Sequence, residues 1–399
     1  MSIKNIKEYT VKECYTLIKR VDIFFLFIVF FSIPFFPALI FFILPLWLLL
    51  PATSNSKFVI PFKLLLFSLS MAVVYTSNDI FSSRDFLAYF NYYNCVNDVV
   101  GSGLCETYLI GYAVFNRLVF MIFGFLSPVA MAILFKFILI YFLSMAIYFY
   151  LALKYKVSNV LFVVLMSCLL MRLGSLSLLW RQTLATVFII VLMSQASHLK
   201  RSFYFFLSVS VHVTSIFIAP LTYFFLNSKI NARLFFFVVT IILCFYYVSG
   251  IDYIYQFAPS FIARKVYFML EPPGLNGFID VVTGTLPFMP IIGVCFFSLL
   301  TKRKIIPDSL LFERNCVIYI FILWGVMSIF FNHSFRVIFP LSLVFIGMYS
   351  ALILNSITNR VLFVFSFMSV WFLSSVRVFG PSLFELFEMF HYVPFYYLF

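Results

Sequence analysis

Charge is scarce in this chain. Only 10% of its 399 residues are Asp, Glu, Lys or Arg, whereas 64% are hydrophobic and 22% aromatic, and the mean hydropathy is +1.10. A soluble protein of this length could not cover its surface with so few charges. Chemical motifs are missing too. There is no C-x-x-C, no H-E-x-x-H, no Asp-x-Asp and no glycine-rich phosphate loop. Metal and nucleotide-triphosphate chemistry therefore lack local support, and neither a metal nor a cofactor is expected. Histidine occurs four times and cysteine seven, most of the cysteines in apolar runs where they read as inert packing. No repeat period and no low-complexity linker divides the chain. Residues 1–20 are polar and basic, without the apolar core and small-residue site of a cleavable signal.

What the chain does contain is a succession of apolar runs near the length that crosses a bilayer. The expected fold is all-α, a polytopic integral membrane protein of about 10–13 transmembrane or re-entrant helices. Residues 21–380 form one membrane domain behind a cytoplasmic segment, 1–20, and before an interfacial or periplasmic tail, 381–399. The net charge of +13 would suggest nucleic acid in a soluble protein. Here most Lys and Arg lie in short loops, where they orient the chain, and no nucleic-acid partner is expected.

Basic residues set the sides. Lys4, Lys7, Lys12, Lys19 and Arg20 keep the N-terminus in the cytoplasm. The run 21–51 has basic flanks at both ends, Lys57 and Lys63 at the far one. It reads either as a tight hairpin with Pro34 and Pro37 at its tip or as one kinked span. Residues 58–76 cross outward. The acidic segment 78–108 is then an outer loop, and 108–126 lies in the interface or re-enters. Residues 129–153 cross inward to Lys154 and Lys156, and 157–179 cross outward to Arg181. Residues 183–197 return to the cytoplasmic anchor "HLKRS". The run 203–226 is again basic at both ends, so it is either a hairpin with His212 near its outward tip or one straight span. A second outer loop covers 251–284, and "TKRK" at 301–304 marks the inside. Residues 317–331 exit to "NHSFR", 337–354 return, and 362–374 exit again.

This topology puts Arg181, Asp85, Glu106, Arg264, Lys265, His333 and Arg336 on the outer face, with His212 if the hairpin holds. None of these set the sides. Arginines outside run against the positive-inside bias, and an anionic ligand at the outer surface would account for them. A lipid-interface arginine that snorkels is the plain alternative for Arg181. Lys136, inside an apolar run, should face the bundle or pair. Tyr89, Tyr92, Tyr93, Tyr108 and Tyr112 either stack on sugars or form an ordinary aromatic belt. Cys95 and Cys105 share the first outer loop, and an oxidising compartment would permit a bridge between them.

The residues also carry a resemblance. "DFLAY", with Asp85 and Tyr89, is followed by "ETYLIGYAVFNRL", "WRQTLA", "VHVTSIF" and "FRVIFPL" in the order seen in the Wzy-type (EpsG-like) O-antigen and exopolysaccharide polymerases. The chain is similar to that family over residues 79 to about 340. It departs from it in "CET", where the family shows a proline-glycine pair, in Val213, and in the lack of a Gly before Asp85. The resemblance implies a GT-C-like helical bundle in the bacterial inner membrane with a periplasmic active face. It implies a glycosyltransferase that joins undecaprenyl-diphosphate-linked repeat units. Donor and acceptor glycolipids would be its partners, with membrane lipids and a chain-length regulator as further ones.

The residue chemistry fits that reaction. A diphosphate leaving group gains negative charge in the transition state, which the fork-shaped guanidinium of Arg181 can stabilise. Asp85 and His212 are candidates for the base on the acceptor hydroxyl. Arg84, Tyr89, Glu106, Tyr112, Gln182, His333 and Arg336 are candidate substrate contacts. An O-antigen ligase and a repeat-unit flippase are the rival classes.

Overall fold

The computed structural model describes residues 21, 23–32, 43, 59–77, 84–97, 110–155, 157, 159–170, 179–212, 215, 286–301, 304–330 and 346–379. These residues are mostly helical, and no strand occurs among them. We number the helices α1 (Ile23–Ser32), α2 (Val59–Ser77), α3 (Arg84–Asn97), α4 (Ile110–Phe123), α5 (Pro128–Lys154), α6 (Val160–Leu170), α7 (Trp180–Ser194), α8 (His198–Val211), α9 (Met289–Leu300), α10 (Leu311–Phe330), α11 (Tyr349–Ser356) and α12 (Arg360–Phe379).

Local sequence explains several boundaries. Ser127 accepts a hydrogen bond from the Ala130 N–H at 3.3 Å, and Pro128 opens α5 where its missing N–H costs nothing. Asn159 and Asn359 cap α6 and α12 in the same way, accepting from Phe162 N at 3.2 Å and Leu362 N at 3.1 Å. Gly124 ends α4 with φ +70°, a conformation side chains resist. Its N–H donates back to Phe120 O at 2.7 Å.

The longest element, α5, organises the rest. By length and composition it is long and apolar enough to cross a membrane; the other apolar helices among the described residues are shorter or fall below that standard. Lys136 Nζ donates to Tyr75 O at 2.5 Å, and the Ser68 and Ser144 hydroxyls lie 3.4 Å apart. Residue numbers rise along α5 as they fall along α2, so the two helices are antiparallel. Helix α7 runs parallel to α5, because Trp180 at its start stacks on Phe135 near the start of α5, centroids 4.9 Å apart. After a short link α8 turns back along α7, with Arg201 Nε donating to Gln195 O at 2.6 Å.

These directions gather the chain turns at two ends. One end holds Tyr155 and Asn159, the turns 195–197, 304–307 and 357–359, and Lys154, Lys200, Arg201, Lys304, Arg314 and Arg360. The other holds α3, α4, the start of α7 and the end of α8. A large apolar core joins α2, α5, α6, α7, α9, α10, α11 and α12. A second, aromatic one joins α3, α4 and the starts of α5 and α7 to the end of α8.

The structure differs from the sequence expectation in three places. Segment 78–108 contains a helix, α3, rather than loop alone. Phe86, Tyr89 and Tyr93 recur at helical spacing and are buried, so the signal was amphipathic and not a long apolar run. Lys63, read as a basic flank of the run 21–51, lies inside α2 and is buried. Helix α8 stops at Val211 with His212 as its C-cap, so 203–226 is not one uninterrupted helix. The segments 1–20, 251–284 and 381–399 fall outside the described residues.

Candidate functional site

The aromatic end is built around Trp180, the first residue of α7, which is fully buried. Tyr89 of α3 stacks on its indole, centroids 5.1 Å apart at 9°. Phe135 of α5 stacks at 23°, and Phe86 meets it edge-on at 6.0 Å. Tyr112 of α4 meets Tyr89 edge-on at 5.8 Å and stacks with Tyr92 at 5.9 Å. Tyr93 donates its hydroxyl to Gly124 O at 2.6 Å, tying α3 to the turn between α4 and α5. Each aromatic pair adds roughly 0.5–1.5 kcal/mol beyond area burial, and a shared set of rings fixes three elements at once.

Arg181 follows Trp180 and is half-buried. Its guanidinium carbon lies 5.8 Å from the centre of the Tyr89 ring. Burial pushes the Tyr92 phenol above its usual value, and the nearby Arg181 charge pulls it partly back. The start of α7 is unusual in its polar groups. Its N-cap is Leu179, which has no capping side chain. The Thr183 N–H donates to Leu179 O at 2.9 Å, and the N–H groups before it are the orphan donors of a helix start. Trp180 Nε1, Gln182 Oε1 and Thr183 Oγ1 are buried with no hydrogen-bond partner among the described residues, as is Asn116 Oδ1 on α4. Leaving such an atom unsatisfied costs about 1–3 kcal/mol. A group of them beside one arginine is a feature that packing alone does not call for.

The end of α8 closes the site. Val211 is buried in the same aromatic core as Tyr112 and Trp180. His212 follows with extended backbone, φ −149° and ψ 123°, and is half-buried.

Of the residues singled out from sequence, the structure thus gathers Tyr89, Tyr112, Arg181, Gln182 and the His212-bearing end of α8. Arg84 and Asp85 open α3 on the same side, their side chains outside the description. Glu106, Tyr108, Arg264, Lys265, His333 and Arg336 lie outside the described residues. Lys136 is structural, bonded to the end of α2. Sequence reasoning missed Trp180 and Asn116. The signal for Trp180 was its place beside Arg181 at the start of an apolar run. Asn116 sat in a segment read as interfacial or re-entrant.

Cys95 on α3 is disulfide-bonded, to a cysteine outside the described residues, whereas Cys168, Cys295 and Cys316 are free and buried. Among the described residues no group of His, Cys, Asp and Glu could hold a metal ion. No family model matches the chain, and no curated protein or solved structure matches it either.

Proposed function

We propose that this chain is a polytopic membrane glycosyltransferase that polymerises lipid-diphosphate-linked oligosaccharide repeat units at the outer face of a bacterial inner membrane. The observation that carries the reading is the start of α7. A helix N-terminus carries about half a positive charge and normally attracts acidic residues, not arginine. Here Arg181 stands on it, beside buried polar atoms that have no hydrogen-bond partner among the described residues, and over the ring of the buried Tyr89. Such a concentration of positive potential is costly unless an anion arrives, and a diphosphate is an anion shaped for it.

Three further observations support the membrane setting. Large apolar side chains are exposed on many helices, among them Phe27, Met121, Phe149, Leu199, Phe206 and Phe365, which suits lipid better than water. The turns richest in Lys and Arg share one end, as cytoplasmic loops do. Cys95 lies in a disulfide at the other end, which suits an oxidising compartment; Cys105, ten positions on, is its proposed partner.

In the reaction, the acceptor sugar hydroxyl attacks the anomeric carbon of the donor glycan. The carbon–oxygen bond to the diphosphate breaks, and the lipid diphosphate leaves. Arg181 and the α7 N–H groups stabilise its charge. The hydroxyl proton passes to a base, His212 or Asp85, a contribution of roughly 10²–10⁴-fold. Gln182 orients the glycans, and the buried Tyr89 and Tyr112 pack behind it and act on the glycans only by positioning it. Arg84, Glu106, His333 and Arg336 are further substrate contacts in this proposal, and a chain-length regulator is a proposed partner.

The test is Arg181→Lys beside Arg181→Ala at matched membrane abundance, read as glycan chain length. Lysine keeps the charge but not the fork. Both variants are expected to lose long chains, by on the order of 10²–10³ in rate. A normal ladder from the lysine variant would return Arg181 to an interface anchor. Deletion separates the rival classes: core bearing one repeat marks a polymerase, and core bearing none marks a ligase. An intermediate trapped inside marks a flippase.

A further inference from the structure

Helices α4 and α8 meet closely at one point. A Cβ added to Gly111 would collide with Ser210 Oγ and would stand 2.9 Å from both the carbonyl carbon and oxygen of Ser210. Backbone atoms cannot yield as a flexible side chain can, so any side chain at 111 forces the helices apart. Gly293 in α9 is the internal contrast, since a Cβ there meets nothing within 4 Å. Glycine inside a helix is destabilising relative to alanine. At position 111 that cost is offset by close approach of the two helices.

What depends on the contact is the site. Gly111 immediately precedes Tyr112, and Ser210 stands two residues before His212. Val211, between them, is buried in the aromatic core with Tyr112 and Trp180. The His212 N–H still donates to Ser208 O at 3.0 Å, so the residue is held to the last turn of α8. Where α8 ends therefore sets where the imidazole starts, and the distance of that end from α4 is set at Gly111.

We infer that Gly111 is a positioning residue: its missing side chain lets α8 seat His212 beside Tyr112 and the start of α7. The inference rests on the polymerase reading of this site. A displacement near 1 Å at a reacting group can cost on the order of 10²-fold in rate. Gly111→Ala should therefore cut long-chain glycan by about that factor at matched membrane abundance. In membranes supplied with the lipid-linked repeat unit extracted from a strain deleted for this gene, the loss should fall on kcat and leave KM near the wild-type value. Ser210→Gly, which removes the nearest clashing atom, should restore part of the activity of Gly111→Ala. Gly293→Ala should behave as wild type.

Where Gly111→Ala fails to accumulate, Ser210→Thr, which adds bulk at the same contact from the other helix, is read in its place with the same expectation. An unchanged ladder from Gly111→Ala, or a loss that falls on KM alone, overturns the inference. So does a loss that Ser210→Gly leaves untouched. Failure of the polymerase reading looks different, because Arg181→Ala and His212→Ala would then themselves leave the ladder normal.

Discussion

The two ends of the bundle handle polar groups in opposite ways. At the basic end several are partnered. Tyr155 donates to Glu313 Oε1 at 2.8 Å, Lys154 Nζ to Tyr150 OH at 3.0 Å, and Lys304 pairs with Asp308 at 2.7 Å. Asn159 and Asn359 cap the helices that begin there. At the aromatic end α7 begins without a side-chain cap and carries an arginine, and Asn116 Oδ1, Trp180 Nε1, Gln182 Oε1 and Thr183 Oγ1 are buried without a hydrogen-bond partner among the described residues. Towards the basic end Glu313 Oε2, Ser350 Oγ and Ser366 Oγ are also buried without a hydrogen-bond partner among the described residues. The contrast teaches that partnered side chains mark one end, whereas at the other the unpartnered polar atoms among the described residues gather mainly at a single helix start beside an arginine.

The strongest test of that contrast is Trp180→Ala. Trp180 is fully buried and stacked on two sides of the site, so its loss should cost about 3–5 kcal/mol. Membrane abundance should fall together with glycan. Normal abundance in immunoblots would mean that the aromatic core does not hold α3, α4 and α7 together.

Gln182→Met sharpens the comparison, because stability and function should move in opposite directions. Removing a buried oxygen with no partner among the described residues should leave stability unchanged or raise it by about 1 kcal/mol. Polymerisation should fall at least about tenfold if that oxygen orients a sugar hydroxyl. A full ladder at undiminished thermal stability in detergent would assign Gln182 to packing alone.

At the basic end the expected pattern reverses. Glu313→Leu removes the acceptor for Tyr155 and should cost about 1–2 kcal/mol, seen as a lower melting temperature, with chain length intact in what accumulates. Shortened chains at equal abundance would carry function to this end too. The smallest effect belongs to Lys304→Ala. Its bond to Asp308 raises the Lys304 pKa, yet both side chains are largely exposed. No measurable shift in melting temperature is expected.

Sidedness can be broken separately. Phe125 and Thr358 are exposed at opposite ends. In intact cells an impermeant thiol reagent should label a cysteine placed at 125 and spare one at 358. The reverse pattern would turn the molecule over and remove the outer-face site.

Much of the helix content was legible because long apolar runs leave the backbone one economical way to satisfy its hydrogen bonds. The positions of α2, α5, α7 and α12 follow the runs 58–76, 129–153, 183–197 and 362–374. Helix α3 was less visible, because its apolar residues form a stripe and not a run. Arg181 stood out as a charge in an apolar stretch. Trp180 did not, because one more aromatic residue among 22% carries no signal until its neighbours are known.

Composition and the spacing of charges, then, determined a helical chain of apolar segments and a basic sidedness, since hydropathy and charge act locally along the sequence. Only the tertiary structure decided that α3, α4, α7 and α8 meet around one indole. It also decided that Tyr89 lies beneath Arg181 and that Gly111 lets α8 end where it does. Those facts depend on pairings between residues tens of positions apart. They are set by ring stacking and by the closest approach of two backbones, and neither is written in any single segment.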